Sequence, residues 1–371
     1  MVQRRINFSD IIPGTPLPWD LYSIEQSGEP LLRKGQLASD KGQLKRLLDA
    51  GLYVRDEAPP SVLHLLNESN HRLERLLHEL RSKENAEQEL RAIAAEVLRA
   101  YELNPDIALA CVLLNQIAGT YAVRHCIETA LVAILVAGGM GKSRQETLLI
   151  TVAALTMNVG MLRHNELFQN KNTPLTSEEQ AIVRRHPEES AEMLNCVGVE
   201  DQEWISCVML HHENDDGSGY PGGKTGEQIS QNAKLIGLAD RYCAHVSARN
   251  YRRSILPDLA LRNIFLEPKS PIDPVLAEQF VRQLGKYPPG SLVRLHNGEI
   301  GVVTQRGRDK DGVQVHALRD SAGVAIPAAS LAALAPRSTS APEFAIAESL
   351  HEDQVGVRFS MKNVWGDQAR L

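Results

Sequence analysis

Residues 210–223 read LHHENDDGSGYPGG: an apolar residue closing a helical run, two adjacent histidines, a short acidic stretch and a glycine-rich turn. Neighbouring residues on an α-helix point about 100° apart, so His211 and His212 serve one site only where the helix ends and the chain wraps around a ligand. A glycine-rich turn follows at once. Taken singly, a His-His pair is most often surface decoration and GSGYPGG a tight turn. Other groups suited to metal or phosphate chemistry fall on either side: His125 in TYAVRHCIETALVA, His186 directly before Pro187, and Asp240 in GLADRY. Their separations of about 25 to 60 residues leave room for one or two intervening helices. The spacing therefore predicts side chains converging in the core of a helical bundle, where metal sites are built from facing helices.

The helical pattern carrying these residues runs from about residue 60 to 285. Val62, Leu66, Leu73, Leu76 and Leu80 share one helical face, and Glu79 with Lys83 and Glu87 with Arg91 form i,i+4 pairs. This predicts one long helix over 60–100, a candidate homodimer contact, with the mixed charges of RLERLLHELRSKENAEQELR as its solvated face. Asn104-Pro105-Asp106 marks the next helix start. Ahead of this region, residues 1–57 read as a small α+β accessory domain: an extended run from Leu17 to Tyr22, a turn at Gly28, a second run at Leu31, a helix capped by Ser39 carrying Leu44, Leu47 and Leu48, then Gly51 and a strand from Leu52 to Arg55. Behind it, residues 286–333 read as a small β subdomain. SLVRL, Asn297-Gly298 and EIGVVTQ give a hairpin whose two turn residues take positive φ, and Val313 to Leu318 gives a third strand. Residues 334–371 read as linker and poorly specified tail. The fold class is thus mainly α, a helical bundle flanked by two small mixed or β units.

Composition narrows the function classes. The chain has 371 residues, 40 basic and 46 acidic, for a formal charge of −6, which argues against a nucleic-acid polymer as partner. The longest uncharged run, between Glu146 and Arg163, contains Asn158 and falls short of the roughly 18 apolar residues of a membrane span. The opening MVQRRINFSD lacks the apolar core of a secretory signal. Five cysteines, Cys111, Cys126, Cys196, Cys207 and Cys243, never form a CxxC pair and read as buried thiols in a reducing compartment, the cytoplasm.

From about Tyr121 to Arg252 the sequence resembles the HD-GYP family, the branch of the HD phosphohydrolases that hydrolyses cyclic di-GMP with two or three metal ions. The resemblance rests on HHE…DGSGYP at His211, His212, Glu213 and Asp216 to Pro221, on the RHP element at His186, and on LADRYCAHVSARNYR at 238–252. KYPPGSLVRLHNGEIGVV, 286–303, is similar to a β appendage that often follows this domain. The resemblance implies an HD-type helical bundle, metal ligands at His125, His186, His211, His212 and Asp240, and nucleotide contacts from Gly219, Tyr220 and Pro221. It also implies phosphate contacts from Arg249 and Arg252, since a guanidinium offers a bidentate fork.

The family pattern further requires a His-Asp pair and a following Lys where this chain reads AALTMNVGMLR, 153–163. Met157, Asn158 and Met161 stand in the three places. A thioether is a poor ligand for a borderline dication among O and N donors. Asn158 offers one neutral oxygen where an anionic Asp would bridge two dications and offset their repulsion. Without two metals, no water of lowered pKa is shared between them to attack phosphorus. Met161 removes a cation that would pair with phosphate, and Tyr121 stands where some members place a Glu for a third metal. Arg163 and His164 have no spacing that would compensate. What is left suits one divalent ion, Fe, Mn or Zn, because three or four N/O ligands suffice for a mononuclear site, and argues against a dinuclear one.

The resemblance and its departures together imply a degenerate HD-GYP protein. It would bind cyclic di-GMP or a related cyclic dinucleotide, or a protein partner in that signalling system, with phosphodiesterase activity impaired or absent. Two other readings stay open: an active metal-dependent cyclic di-GMP phosphodiesterase with a non-standard metal site, and a helical protein-interaction scaffold using the helix at 60–100.

Overall fold

In a computed structural model the chain divides into two units, Met1–Pro60 and Ser61–Leu371. Described are residues 2–5, 17, 19–23, 30–36, 52–56, 60–169, 171, 173–247, 254–265, 272–307 and 312–371. In the first unit, β1 (Val2–Arg5), β2 (Leu21–Ser23) and β3 (Leu52–Asp56) form an antiparallel sheet in the order β1-β3-β2, with Leu21 opposite Val54. The turn expected at Gly28 and the helix expected after Ser39 lie outside the described residues.

The second unit begins with a correction. The helix expected over 60–100 is two, α1 (Val62–Glu79) and α2 (Ala86–Leu103), separated by a 3-10 turn at Leu80–Ser82. The apolar face of each is buried: Leu66, Leu73 and Leu77 on one, Leu90, Ile93 and Val97 on the other. A chain that folds back buries both stripes on itself, which no single long helix can do. Asn104 caps α3 (Pro105–Leu113), accepting from the N–H groups of Asp106 and Ile107 at 3.2 Å, with Pro105 in the first turn.

At the centre lies α4 (Tyr121–Gly139), buried almost throughout from Ala122 to Ala137. Beside it is α5 (Arg144–Thr156), started by a capping box between Ser143 and Glu146. A 3-10 turn (Val159–Met161) leads into α6 (Leu162–Gln169). Then come α7 (Ser177–Cys196), α8 (Gln202–Leu210), α9 (Gln231–Val246), α10 (Pro257–Phe265) and α11 (Pro274–Leu284). By length and composition alone, Tyr121–Gly139 and Arg144–His164 would suffice to cross a membrane, yet most of each is covered by other helices of the same bundle. Cys111, Cys126, Cys207 and Cys243 are buried; Cys196, expected to be so, is exposed at the end of α7.

A five-stranded antiparallel sheet follows, ordered β7-β6-β5-β4-β8. Its strands are β4 (Leu292–Leu295), β5 (Ile300–Gln305), β6 (Gln314–Arg319), β7 (Arg337–Ser338) and β8 (Ile346–Leu350). The hairpin joins β4 to β5 as expected, but its turn differs: Gly298 has φ 91°, while Asn115 is the one non-glycine at positive φ among the described residues. Asn297 instead accepts from the N–H of Glu299 through its own Oδ1 at 3.0 Å, closing a longer loop than a two-residue turn.

Residues 334–371, expected as linker and tail, supply β7, β8 and the short helices α13 (Glu352–Val355) and α14 (Met361–Trp365), after α12 (Ala328–Leu331). Composition missed them because their apolar residues are few and scattered. Leu350, Val355 and Met361 are nevertheless each buried. The last residues close on the first of the unit, Ser61 Oγ donating to the carbonyl of Arg370 at 2.5 Å.

Candidate metal centre

A proline inside a helix sets the first of the expected ligand residues, His186. Pro187 has no N–H, so within α7 the carbonyl of Val183 lacks its usual partner four residues on. The Nδ1–H of His186 takes that place, donating to Val183 at 2.7 Å. The second, His211, uses a helix end. α8 stops at Leu210, leaving the carbonyls of its last turn free, and His211 Nδ1–H donates to Val208 at 2.7 Å. Both imidazoles are thereby fixed with Nε2 unprotonated and turned inward, 3.2 Å apart. His212 packs beside them, its ring centre 4.1 Å from that of His211 and 5.0 Å from that of His186. One ligand atom from each of the three histidines lies within 4.8 Å of the others.

Burial governs the electrostatics. It depresses the pKa of His186 to about 3, with the charge of His211 adding to the effect, and it lowers His211 and His212 in the same direction. All three are neutral donors near neutral pH, the state a metal ligand needs. The three nitrogens lie close enough together for one cation to meet all of them, so the donor set fits one ion.

The remaining two expected ligands form a pair of their own. His125 on α4 donates from Nε2 to Asp240 Oδ1 on α9 at 2.7 Å, and both are buried. Burial alone would raise the Asp240 carboxyl, but the hydrogen bond from His125 and the surrounding histidines hold it well below the usual carboxylate range. His125 Nδ1 is buried without a partner, and the ring of Tyr121 stacks on the imidazole at 5.3 Å. Three of the five residues thus group within 4.8 Å of one another, and the His125–Asp240 pair lies beside them, near enough for the Asp240 charge to act on all three histidines.

Three glycines let these elements approach. A Cβ on Gly237 of α9 would collide with the His211 carbonyl, and one on Gly219 would collide with the backbone of Glu213. A Cβ on Gly160 would lie 2.9 Å from the His186 carbonyl, and the N–H of Gly160 donates to Ser190 Oγ at 2.9 Å. The 3-10 turn after Asn158 thus still packs against the helix that carries His186. Met157 is fully buried within the apolar core, and Asn158 lies against the Cys126 thiol, which burial pushes up to about 12.

The glycine-rich turn is held from below. Glu213 accepts from the N–H groups of Gly222 at 2.6 Å and Lys224 at 2.9 Å, and Tyr220 N–H donates to the His212 carbonyl at 3.1 Å. Tyr220 then covers His212, ring centres 4.7 Å apart, with the guanidinium of Arg184 5.8 Å from its ring. Gly219 and Pro221 belong to the same turn, whereas Arg249 and Arg252 lie outside the described residues. Sequence reading did not single out Glu213 as the clamp of the turn, nor Arg184, two residues before His186. A signal was available for the first: a carboxylate directly ahead of a run of backbone N–H groups.

Residues 113–276 match the HD domain family. The cyclic di-GMP phosphodiesterase PA4108 of Pseudomonas aeruginosa is 33% identical over 217 residues, 58% of this chain and 51% of that protein. The cyclic di-GMP phosphodiesterase response regulator RpfG of Xanthomonas campestris is 32% identical over 154 residues, 41% of this chain and 40% of that protein. The chain thus spans about half the length, or less, of these relatives. Among solved structures, Bd1817, an HDG"Y"P protein of Bdellovibrio bacteriovorus, superposes with TM-score 0.51 at 17% identity, covering 76% of this chain and 99% of that one, a likeness of fold. Residues 113–276 of this helical bundle thus match an HD domain, and the relatives at 32–33% identity are cyclic di-GMP phosphodiesterases.

Proposed function

We propose that this protein is a degenerate HD-GYP protein that holds one divalent ion, Fe, Mn or Zn, in the triad of His186, His211 and His212. It binds cyclic di-GMP or a related cyclic dinucleotide over Tyr220 and the glycine-rich turn, with phosphodiesterase activity impaired or absent. The observation that carries this reading is the state of the buried carboxylates. Among the described residues these are Glu128, Glu213, Asp240 and Glu299. Glu299 belongs to the sheet and pairs with Arg337. Glu128 faces Arg124 at 3.3 Å and accepts from Ser247. Glu213 holds the turn and Asp240 holds His125. None of them occupies the place where Met157 and Asn158 stand, so that place supplies no anionic oxygen to bridge two dications.

When bound, a metal here supplies a positive charge for a phosphate oxygen. The chain's own groups do the rest: Tyr220 presents an aromatic face on which a base stacks, Arg184 lies beside that ring, and Glu213 keeps the turn closed. Relatives that are cyclic di-GMP phosphodiesterases support the ligand class.

Calorimetric titration of the full chain with cyclic di-GMP tests the reading. Saturable heat is expected, and loss of one base–aromatic stack in Tyr220→Ala weakens binding by about five- to a hundredfold. A flat titration favours the scaffold reading. Turnover of cyclic di-GMP with Fe, Mn or Zn supplied favours the active enzyme.

A further inference from the structure

The second unit contains a cavity of about 280 Å³ away from the histidine triad. It opens where α3, the end of α9, the start of β4 and the carboxyl-terminal segment meet. Leu113, Val246, Leu256, Leu292, Val355 and Met361 give it apolar walls. Its construction is local and specific. After α3 the chain turns through Asn115, which takes φ 49°, and Gly290 lets β4 begin so close to α3 that a Cβ there would lie 2.9 Å from Ala110 Cα. The segment from Leu350 to Met361 forms the opposite wall, anchored where Met361 Sδ meets Cys111 Sγ at 3.9 Å.

On the side of α3 and β4, two residues that line the cavity, Asn115 and Ser291, each carry a buried side-chain oxygen with no hydrogen-bond partner, Oδ1 and Oγ. Ser291 as a whole is 4% exposed. An unpaired buried donor or acceptor is unfavourable, and in native proteins each instance calls for an explanation. At the rim stand Glu352 and Arg358, both exposed and of opposite charge, so the entrance selects for neither sign.

We propose that this cavity is a second ligand site. It takes a neutral, largely apolar small molecule carrying a hydroxyl or N–H group that meets Asn115 and Ser291. The volume lies at the lower edge of small-molecule sites, about 300 Å³, and equals the liquid share of roughly nine waters, which suits one fused ring system rather than a dinucleotide. The site is close to the metal centre without sharing its residues. Val246 lies six residues beyond Asp240 on α9, about 9 Å along the helix axis.

Tryptophol, a neutral indole alcohol, is a suitable probe, and the methyl group of Met361 is a built-in reporter. Titrated into the full chain with isotope-labelled methionine methyls, tryptophol is expected to shift the Met361 resonance saturably and leave Met209 on α8 unmoved. Ser291→Ala, losing one hydrogen bond, is expected to weaken binding about three- to tenfold. It should leave the free chain's melting temperature unchanged or higher, because the hydroxyl it removes has no partner. Val357→Trp, which fills the cavity, is expected to abolish the shift. The proposal is overturned if Met361 shows no saturable shift at millimolar probe, if both variants leave the shift as it was, or if Ser291→Ala lowers the free chain's stability.

Discussion

His186 and His211 present unprotonated Nε2 atoms to each other across 3.2 Å, because Val183 and Val208 hold the Nδ1 protons of both rings. Two lone pairs at that distance gain nothing from each other. They gain from a cation, and a proton is the poorer one here, since burial disfavours imidazolium.

Metal content follows from this arrangement. Elemental analysis of the purified chain should give no more than one divalent ion, and His211→Ala should bring that close to zero. Free metal at a hundred times its dissociation constant should stabilise the wild-type fold by about 2.7 kcal/mol in a melting experiment and the variant by far less. Two equivalents of metal in the wild type would contradict the mononuclear reading.

Placing a His-Asp pair at Met157 and Asn158 tests the mononuclear reading. Met157→His with Asn158→Asp should raise metal content from one ion to two. It should also lower the melting temperature of the metal-free chain, because Met157 is fully buried in the apolar core and a histidine there leaves ring nitrogens to be satisfied. Unchanged stoichiometry would mean that this segment no longer faces the centre.

Stability should fall with acid. In the unfolded chain histidine binds its proton near pH 6.5, whereas folded His186 does so only near 3, so below 6.5 the unfolded state holds more protons. The stabilisation is complete above about pH 6.5 and is lost as pH falls toward 3, at about 1.4 kcal/mol per pH unit for each such group. His211 and His212 shift in the same direction, and the depressed Asp240 carboxyl is likewise favourable above its unfolded value and lost in acid. Denaturant melts of the metal-free chain at pH 7.5 and 5.0 should show this loss; equal stability at the two values would count against neutral buried histidines.

Gly237→Ala should be costly although glycine within a helix is normally the weaker choice. The added methyl meets the His211 carbonyl, so α9 must move away from the end of α8. A loss of about 1–3 kcal/mol, the usual range for overpacking, is expected together with weaker metal binding. Gly198→Ala is the comparison: it has open space around it but φ 84°, so it should lose stability through backbone strain and leave metal affinity unchanged.

Much of this was legible in the chain itself. The helix start at Asn104-Pro105, the β4–β5 hairpin around Asn297-Gly298 and the five ligand-type residues are local signals, set by capping, turn chemistry and spacing. The break between α1 and α2 was not legible. Leu76 and Leu80 continue the face of α1 without interruption, and the reason for folding back, two buried stripes closing on each other, appears only when both helices are present. The carboxyl-terminal strands and helices escaped for the same reason, since each buries one or two apolar residues that mean little until the partner surface exists.

The sequence by itself determined the mainly helical class, the resemblance to the HD-GYP family and the residues Met157 and Asn158 at the place where that resemblance implies a His-Asp pair, because each of these is a matter of residue identity at fixed spacing. Only the tertiary structure decided that His186, His211 and His212 gather within 4.8 Å of one another while His125 hydrogen-bonds Asp240 beside them. That partition depends on which ring nitrogen a backbone carbonyl captures and on how closely glycines let helices approach, and neither is written in a single segment of the chain.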